Sequence, residues 1–217
     1  MMHRQFVDFF PGDTADREIP RTRDTADRRE FRAECLTGPD GGPTRPFLRI
    51  LLRMLRLERL RADHAPALLD FERENREYFA RTISDRGDAY FEEFASVHRA
   101  RLAEQDAGVC HFHVVVDDQG ELVGRVNLVD VEEGGAELGY RIGERAAGRG
   151  MATAAVEEVC RLAATGYRLS ALTAYTTFDN VASRTVLGRN GFTVVADATV
   201  GGRPGLRHHR RLVAEPG

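Results

Sequence analysis

The 217-residue sequence predicts an α+β fold in which a mixed sheet is flanked by helices. Three observations carry this. Apolar residues recur at helical spacing from Leu68 to Phe79 and again from Tyr90 to Leu102. Three stretches rich in β-formers follow, set apart by Gly120 and by Gly134-Gly135. Beyond them helix and strand patterns alternate, so the whole reads ααβββαβαββ.

Residues 1–46 stand apart. Arg and Asp alternate there, as in Asp13-Thr14-Ala15-Asp16-Arg17, and Pro11, Pro20, Pro43 and Pro46 interrupt any regular pattern. So few apolar residues do not offset the entropy of ordering the segment, which predicts a mobile arm before one domain over 47–217. The Leu/Arg run from Ile50 to Leu60 predicts a first strand, with Met54 and Arg56 facing away from Leu55 and Leu57. Its leucine content leaves a helix open.

Asp63 is placed to cap the next helix, with Pro66 in its first turn. Leu68, Phe71, Asn75, Tyr78 and Phe79 mark the inner face of that helix, and Glu72, Arg73, Glu74, Arg76 and Glu77 its wet face. Ser84-Asp85-Arg86-Gly87 breaks the pattern, and a second amphipathic helix starts near Asp88. Val109–Val116 and Leu122–Val131 form a hairpin across Asp117-Asp118-Gln119-Gly120. Ala136–Ile142 makes a third strand. An Ala-rich helix spans Thr153–Thr165, a strand Leu169–Thr176, a short helix Ala182–Arg189, and two strands Phe192–Thr199 and Leu206–Val213.

Composition excludes several function classes. The hydrophobic fraction of 42% is that of an ordinary globular chain, and Arg or polar residues break every apolar run long before membrane-spanning length. The sequence opens without a secretory pattern, so a cytoplasmic location is expected. Cys35, Cys110 and Cys160 are odd in number and far apart, neither a disulfide framework nor a metal pair. A net charge of -3 argues against nucleic acid as a partner. Every basic side chain besides histidine is arginine, which marks compositional bias and weakens any single arginine as a functional signal.

The chemistry concentrates between Ala136 and Thr165. A helix N-terminus offers backbone N–H groups without internal partners and a partial positive charge, a ready seat for a pyrophosphate. Gly148 and Gly150 keep side chains away from those amides, and Met151-Ala152-Thr153 opens the helix. A P-loop requires a lysine the chain lacks, and a dinucleotide fingerprint requires a third glycine and a later acid that are missing.

Glu137-Leu138-Gly139-Tyr140-Arg141-Ile142, the segment Ala147-Gly148-Arg149-Gly150-Met151-Ala152, then Asp179-Asn180-Val181-Ala182-Ser183-Arg184 and Gly191-Phe192 resemble the GNAT N-acetyltransferase superfamily, and more narrowly its RimJ/RimL-type branch, which acetylates protein N-terminal amines. The resemblance covers residues 48–213. It implies a GNAT-type, mostly antiparallel sheet with two splayed parallel strands at the cofactor site. It also implies acetyl-CoA as co-substrate and no metal.

In that family the pyrophosphate loop reads Gln/Arg-x-x-Gly-x-Gly/Ala. Ala147 departs from it, while Gly150 and Ala152 fit. By resemblance, backbone groups of Tyr140, Arg141 and Ile142 pair with the pantetheine arm, in the manner of an added strand. Gly148, Arg149, Gly150, Met151, Ala152 and Thr153 take the phosphates, and Asn180 binds the cofactor near the second strand. Asn180 also reads as a helix cap.

Acyl transfer needs a neutral amine, a polarised thioester and a protonated leaving thiolate. The resemblance assigns the amine proton to Glu137, which could equally be a solvated strand residue. Leu187 stands where some members carry a tyrosine acid, so the thiolate falls to Ser183, as in the RimL-type branch. The implied acceptor is a primary amine, first a protein N-terminal α-amine such as that of a ribosomal protein. A small-molecule amine (antibiotic, polyamine or amino acid) and a non-catalytic acyl-CoA sensor are the alternatives. Monomer and homodimer both stay open, with no membrane partner. His111 and His113 alternate on one strand face with no evident third ligand, so a metal is not expected. The Arg207–Arg211 end, with His208 and His209, reads as an exposed basic strand.

Overall fold

The computed structural model describes residues 55–212. The arm over 1–46, the Ile50–Met54 half of the first strand and the last residues lie outside the described part.

Seven strands form one sheet: β1 Leu55–Arg59, β2 His111–Asp117, β3 Leu122–Glu132, β4 Gly135–Ile142, β5 Ala171–Thr177, β6 Thr193–Val200 and β7 Arg203–Arg211. They run in the order β1-β2-β3-β4-β5-β7-β6. Every neighbouring pair is antiparallel except β4 and β5. The helices are α1 Ala65–Glu74, α2 Arg76–Ala80, α3 Asp88–Glu92, α4 Phe94–Asp106, α5 Met151–Thr165 and α6 Val181–Arg189. The expected strand and helix order is therefore present, and the first strand is a strand.

Strand parity sorts the two faces. Ala136, Leu138 and Ile142 of β4, with Leu128 and Leu172, bury against α5, whose Ala154, Ala155, Val156, Val159 and Ala163 are fully buried. Alanines on that stripe let the helix lie close to the sheet. On the other face Phe112, Val114 and Val129 meet Leu68, Phe71, Phe79 and Phe94. Each fully buried Leu or Phe contributes roughly 1.5–3 kcal/mol by leaving water. Gln105 staples this layer, donating to Leu60 O at 3.0 Å and accepting from Phe112 N at 3.1 Å.

Three local expectations change. Asp63 is not the cap of α1. It lies in a 3-10 turn and pairs with Arg61, while His64 precedes the helix. The helix anticipated through Phe79 breaks at Asn75 (φ -102°, ψ 7°), and the one anticipated from Asp88 breaks at Glu93 (φ -94°, ψ 8°). Apolar spacing survives these breaks because each adds only a small rotation, so period alone does not reveal them.

Candidate active site

The β4–β5 ladder is short. Gly135 pairs with Ala171, Ala136 with Leu172 and Glu137 with Thr173, and there the pairing stops. Both strands continue, β4 to Ile142 and β5 to Thr177. The β5-facing edge of Leu138–Ile142 therefore has no strand partner, and a cleft opens between the two strands. It encloses about 670 Å³, its open mouth included. Tyr140, Arg141, Asn180, Ser183 and Leu187 all line it.

Beyond Ile142 the chain turns through Gly143 and a 3-10 turn, Glu144–Ala146, into the glycine loop. Asn75, at the joint of α1 and α2, holds the start of that turn: its Oδ1 accepts from Glu144 N at 2.8 Å while its Nδ2 donates to Phe71 O at 2.8 Å. A Cβ on Gly143 would fall 2.9 Å from the Phe71 ring and 3.0 Å from Asn75 Oδ1, so the approach requires glycine.

Gly148 and Gly150 then take φ of 72° and 79°. A Cβ on Gly148 would meet nothing within 4 Å, so conformation rather than space selects glycine there. The first α5 bond runs from Ala154 N to Gly150 O at 3.0 Å, which leaves the N–H groups of Met151, Ala152 and Thr153 ahead of the helical ladder. Met151 and Thr153 point into the protein, at 3% and 6% exposure, so their contribution outward is the amide. A fifteen-residue helix backs these donors. The donor set suits an anion of phosphate type, and the unpaired edge of β4 suits an extended chain bearing amides. CoA has both parts.

Asn180 caps α6, its Oδ1 accepting from Ser183 N at 3.0 Å. The capping role is thus realised, and the carboxamide nitrogen is what Asn180 can turn toward a cofactor. Ser183 Oγ lies 2.9 Å from the Tyr140 hydroxyl, whose single proton reaches either that oxygen or Ser183 O at 3.2 Å. Burial raises the Tyr140 hydroxyl to about 12, against a smaller downward pull from Ser183, so it stays protonated. Glu137, half-buried, stands at the last rung before the strands part, on the strand face of Gly139 and Arg141. Leu187 is 1% exposed.

Sequence reasoning missed a buried charge cluster on the other wall. Glu72, expected on the wet face of α1, is 2% exposed. Its Oε1 accepts from Arg125 Nη1 at 3.0 Å and its Oε2 from Arg141 Nη1 at 2.9 Å, with Arg86 Nη2 4.0 Å away. Burial pushes the Glu72 carboxyl up, but Arg141, Arg86 and Arg125 together outweigh it and hold it at about 2. A signal existed, since Glu72 lies four residues after Leu68 and three before Asn75, on the inner stripe.

The two strand histidines serve Tyr167. The His111 ring stacks on it at 3.6 Å between centroids, and His113 Nε2 lies 2.8 Å from its hydroxyl while Nδ1 faces Val126 O at 3.3 Å. Burial lowers His113 to about 4. Among the described residues no three His, Cys, Asp or Glu side chains gather as a metal site. His208, read as exposed, is buried and lies 3.0 Å from Thr176 Oγ1.

Residues 54–193 match the family described as acetyltransferase (GNAT) domain. The chain belongs to the GNAT acetyltransferase family. It is accordingly an acetyl-CoA-dependent N-acetyltransferase. Three solved structures frame this GNAT fold. The ribosomal-protein-S5-alanine acetyltransferase from Vibrio fischeri is 18% identical, with TM-score 0.68 over 73% of this chain and 93% of its own. Mycobacterium smegmatis RimJ in complex with CoA-disulfide is 22% identical, with TM-score 0.69 over 76% of this chain and 86% of its own. The spermidine N-acetyltransferase from Vibrio cholerae, in complex with CoA and spermine, is 17% identical, with TM-score 0.63 over 73% and 96%. No curated protein sequence matches the chain. Among the described residues no helix is long and apolar enough to cross a membrane.

Proposed function

We propose that this GNAT enzyme acetylates a protein N-terminal α-amine, a ribosomal protein being one candidate acceptor. The observation that carries the choice over a polyamine is the lining of the cleft. Its described lining includes Arg86, Arg125 and Arg141; the carboxylate of Glu72 is already shared by Arg125 and Arg141, which leaves Glu137 at the apex as the one acid the reading assigns to the amine. A polyamine brings several ammonium groups and would meet like charge on that wall. An N-terminal α-amine brings one, with an ordinary pKa near 7.7–8.0, so about a fifth to a third is already neutral at pH about 7.4.

The steps follow from the strands. Leu138–Ile142 would hold the pantetheine arm by edge pairing, and the amides of Met151, Ala152 and Thr153, with the loop Gly148-Arg149-Gly150 ahead of them, would seat the pyrophosphate. Bound acetyl-CoA supplies the thioester. Glu137, at the apex of the splay, takes the amine proton through water as the nitrogen attacks. Ser183 donates a hydrogen bond to the departing thiolate, which then takes its proton from solvent, and Tyr140, protonated, donates to Ser183 Oγ and keeps that hydroxyl aimed. The sequence supplied Tyr140 only as backbone; its hydroxyl is a new member of the set.

The test is CoA thiol release from acetyl-CoA across N-terminal peptides, polyamines, aminoglycosides and no acceptor. Release with a peptide, with an acetyl mass increment on its α-amine, is the expected result. Release with polyamines alone overturns it. In the same assay Glu137→Gln should lose turnover while acetyl-CoA still binds, and unchanged turnover removes Glu137 from the mechanism.

A further inference from the structure

The wall opposite the cofactor loop carries an imbalance. Arg125 and Arg141 share one carboxylate, that of Glu72, so these three residues sum to one net positive charge inside the protein. The side chains of Arg125 and Arg141 are 9% and 13% exposed, and both line the cleft. The whole chain has a net charge of -3, so this wall departs in sign from the molecule around it.

The two arginines are not equivalent. Arg125 Nη1 is committed to Glu72, and Asn127, with its amide turned to suit both neighbours, accepts from Arg125 Nη2 at 2.9 Å. Arg141 gives Nη1 to Glu72 and lays its guanidinium over the Phe79 ring at 4.9 Å. A guanidinium fork has five N–H donors, and this one borders open space. Burial brings the Arg141 guanidinium down to about 10 despite Glu72, and Arg86 and Arg125 add to the lowering. A further negative charge at this place would offset the repulsion from Arg86 and Arg125 and add an attraction against the cost of burial.

Building on the α-amine reading above, we propose that the preferred acceptor carries a carboxylate beside its amine, an acidic side chain at the first or second residue of a protein N-terminus, and that Arg141 receives it. Glu72 and Arg125 then act as the frame that fixes the Arg141 fork. The cluster repels polyamines and selects acidic N-termini by the same charge.

The experiment compares peptides that differ only by Asp against Asn, or Glu against Gln, at the first or second residue, with free aspartate and glutamate as a further arm. Binding is measured by calorimetry with CoA present, and kcat/KM by thiol release. A charge-assisted, largely buried pair should favour the acid over its amide by about tenfold or more. Equal binding of acid and amide overturns the inference, whether or not acetyl is moved. Selective binding of the acidic peptide without any acetyl transfer keeps the inference and overturns the α-amine reading. Tighter binding of free aspartate or glutamate than of the acidic peptide keeps the carboxylate site and overturns a protein N-terminus as its source. Arg141→Gln should bring the acid-to-amide ratio close to one, and Arg141→Lys should restore part of it. If Arg141→Gln instead raises the KM for acetyl-CoA and leaves the ratio intact, Arg141 serves the cofactor and the inference fails. The peptide comparison on the unaltered protein stands even if a variant folds poorly.

Discussion

The two sides of the cleft are built from different materials. On the side we propose for the cofactor the chain offers backbone: the open edge of Leu138–Ile142, two glycines with positive φ, and the first amides of α5. On the side we propose for the acceptor it offers buried charge, with Arg125 and Arg141 converging on Glu72 and Arg86 within 4.0 Å. A backbone site tolerates most side chains and depends on conformation. A charge site depends on the presence of every partner. Substitutions on the two sides should therefore fail in different ways.

The largest effect belongs to the charge side. Glu72→Ala leaves Arg125 and Arg141 buried without their shared carboxylate and should lower stability by about 3–5 kcal/mol. Chemical denaturation reads this directly, and an unchanged midpoint would show that the cluster is not a unit. The same carboxyl predicts a pH dependence. Held at about 2 when folded against an ordinary 4.5, Glu72 contributes stability that is complete above pH 4.5 and lost as pH falls toward 2. The wild type should show that loss, and Glu72→Ala should lack this part of it.

On the backbone side a smaller and more selective effect follows. Gly148→Ala meets no atom within 4 Å but asks alanine to hold φ near 72°, which costs about 1–2 kcal/mol. Relaxing the loop turns the amides away from the pyrophosphate seat, so the KM for acetyl-CoA should rise roughly tenfold. The acceptor preference should not move. A shift in peptide selectivity with no change in acetyl-CoA KM would contradict the division between the two sides.

That division also governs what the sequence revealed. The glycine loop and its helix were legible because their requirements are local: Gly148 and Gly150 sit within three residues of the start of α5, and β4 leads into them through one short turn. The fold was legible for the same reason, since Gly120, Gly134 and Gly135 punctuate alternating strands. The charged wall was not, because Glu72, Arg86, Arg125 and Arg141 come from four separate stretches: the β3–β4 register sets Arg125 opposite Arg141, and Glu72 reaches them only once α1 packs on the sheet. In a chain whose non-histidine cations are all arginine, no single one signals its place. Tyr140 shows the limit within one residue. Its position on β4 was read correctly, yet its hydroxyl's contact with Ser183 depends on how α6 packs 43 residues later.

The smallest effect sharpens the comparison most, because it tests a side chain that joins the two sides. Asn75 lies three residues after Glu72, at the joint of the helices behind the charged wall, yet its Oδ1 accepts from Glu144 N at the entry to the glycine loop. Asn75→Ala removes that bond and the one to Phe71 O, at a net cost of about 1 kcal/mol, since the exposed Glu144 end can turn to water. If Asn75 positions the loop, the KM for acetyl-CoA should rise a few-fold while kcat and the acid-to-amide ratio stay put. Equal changes in both substrates would mean that the α1–α2 joint sets the whole cleft. Asn75→Asp separates the atoms, because it keeps the oxygen that accepts from Glu144 and loses the donor to Phe71 O. A near-normal acetyl-CoA KM in that variant would trace the coupling to the bond from Glu144 N to the oxygen at position 75.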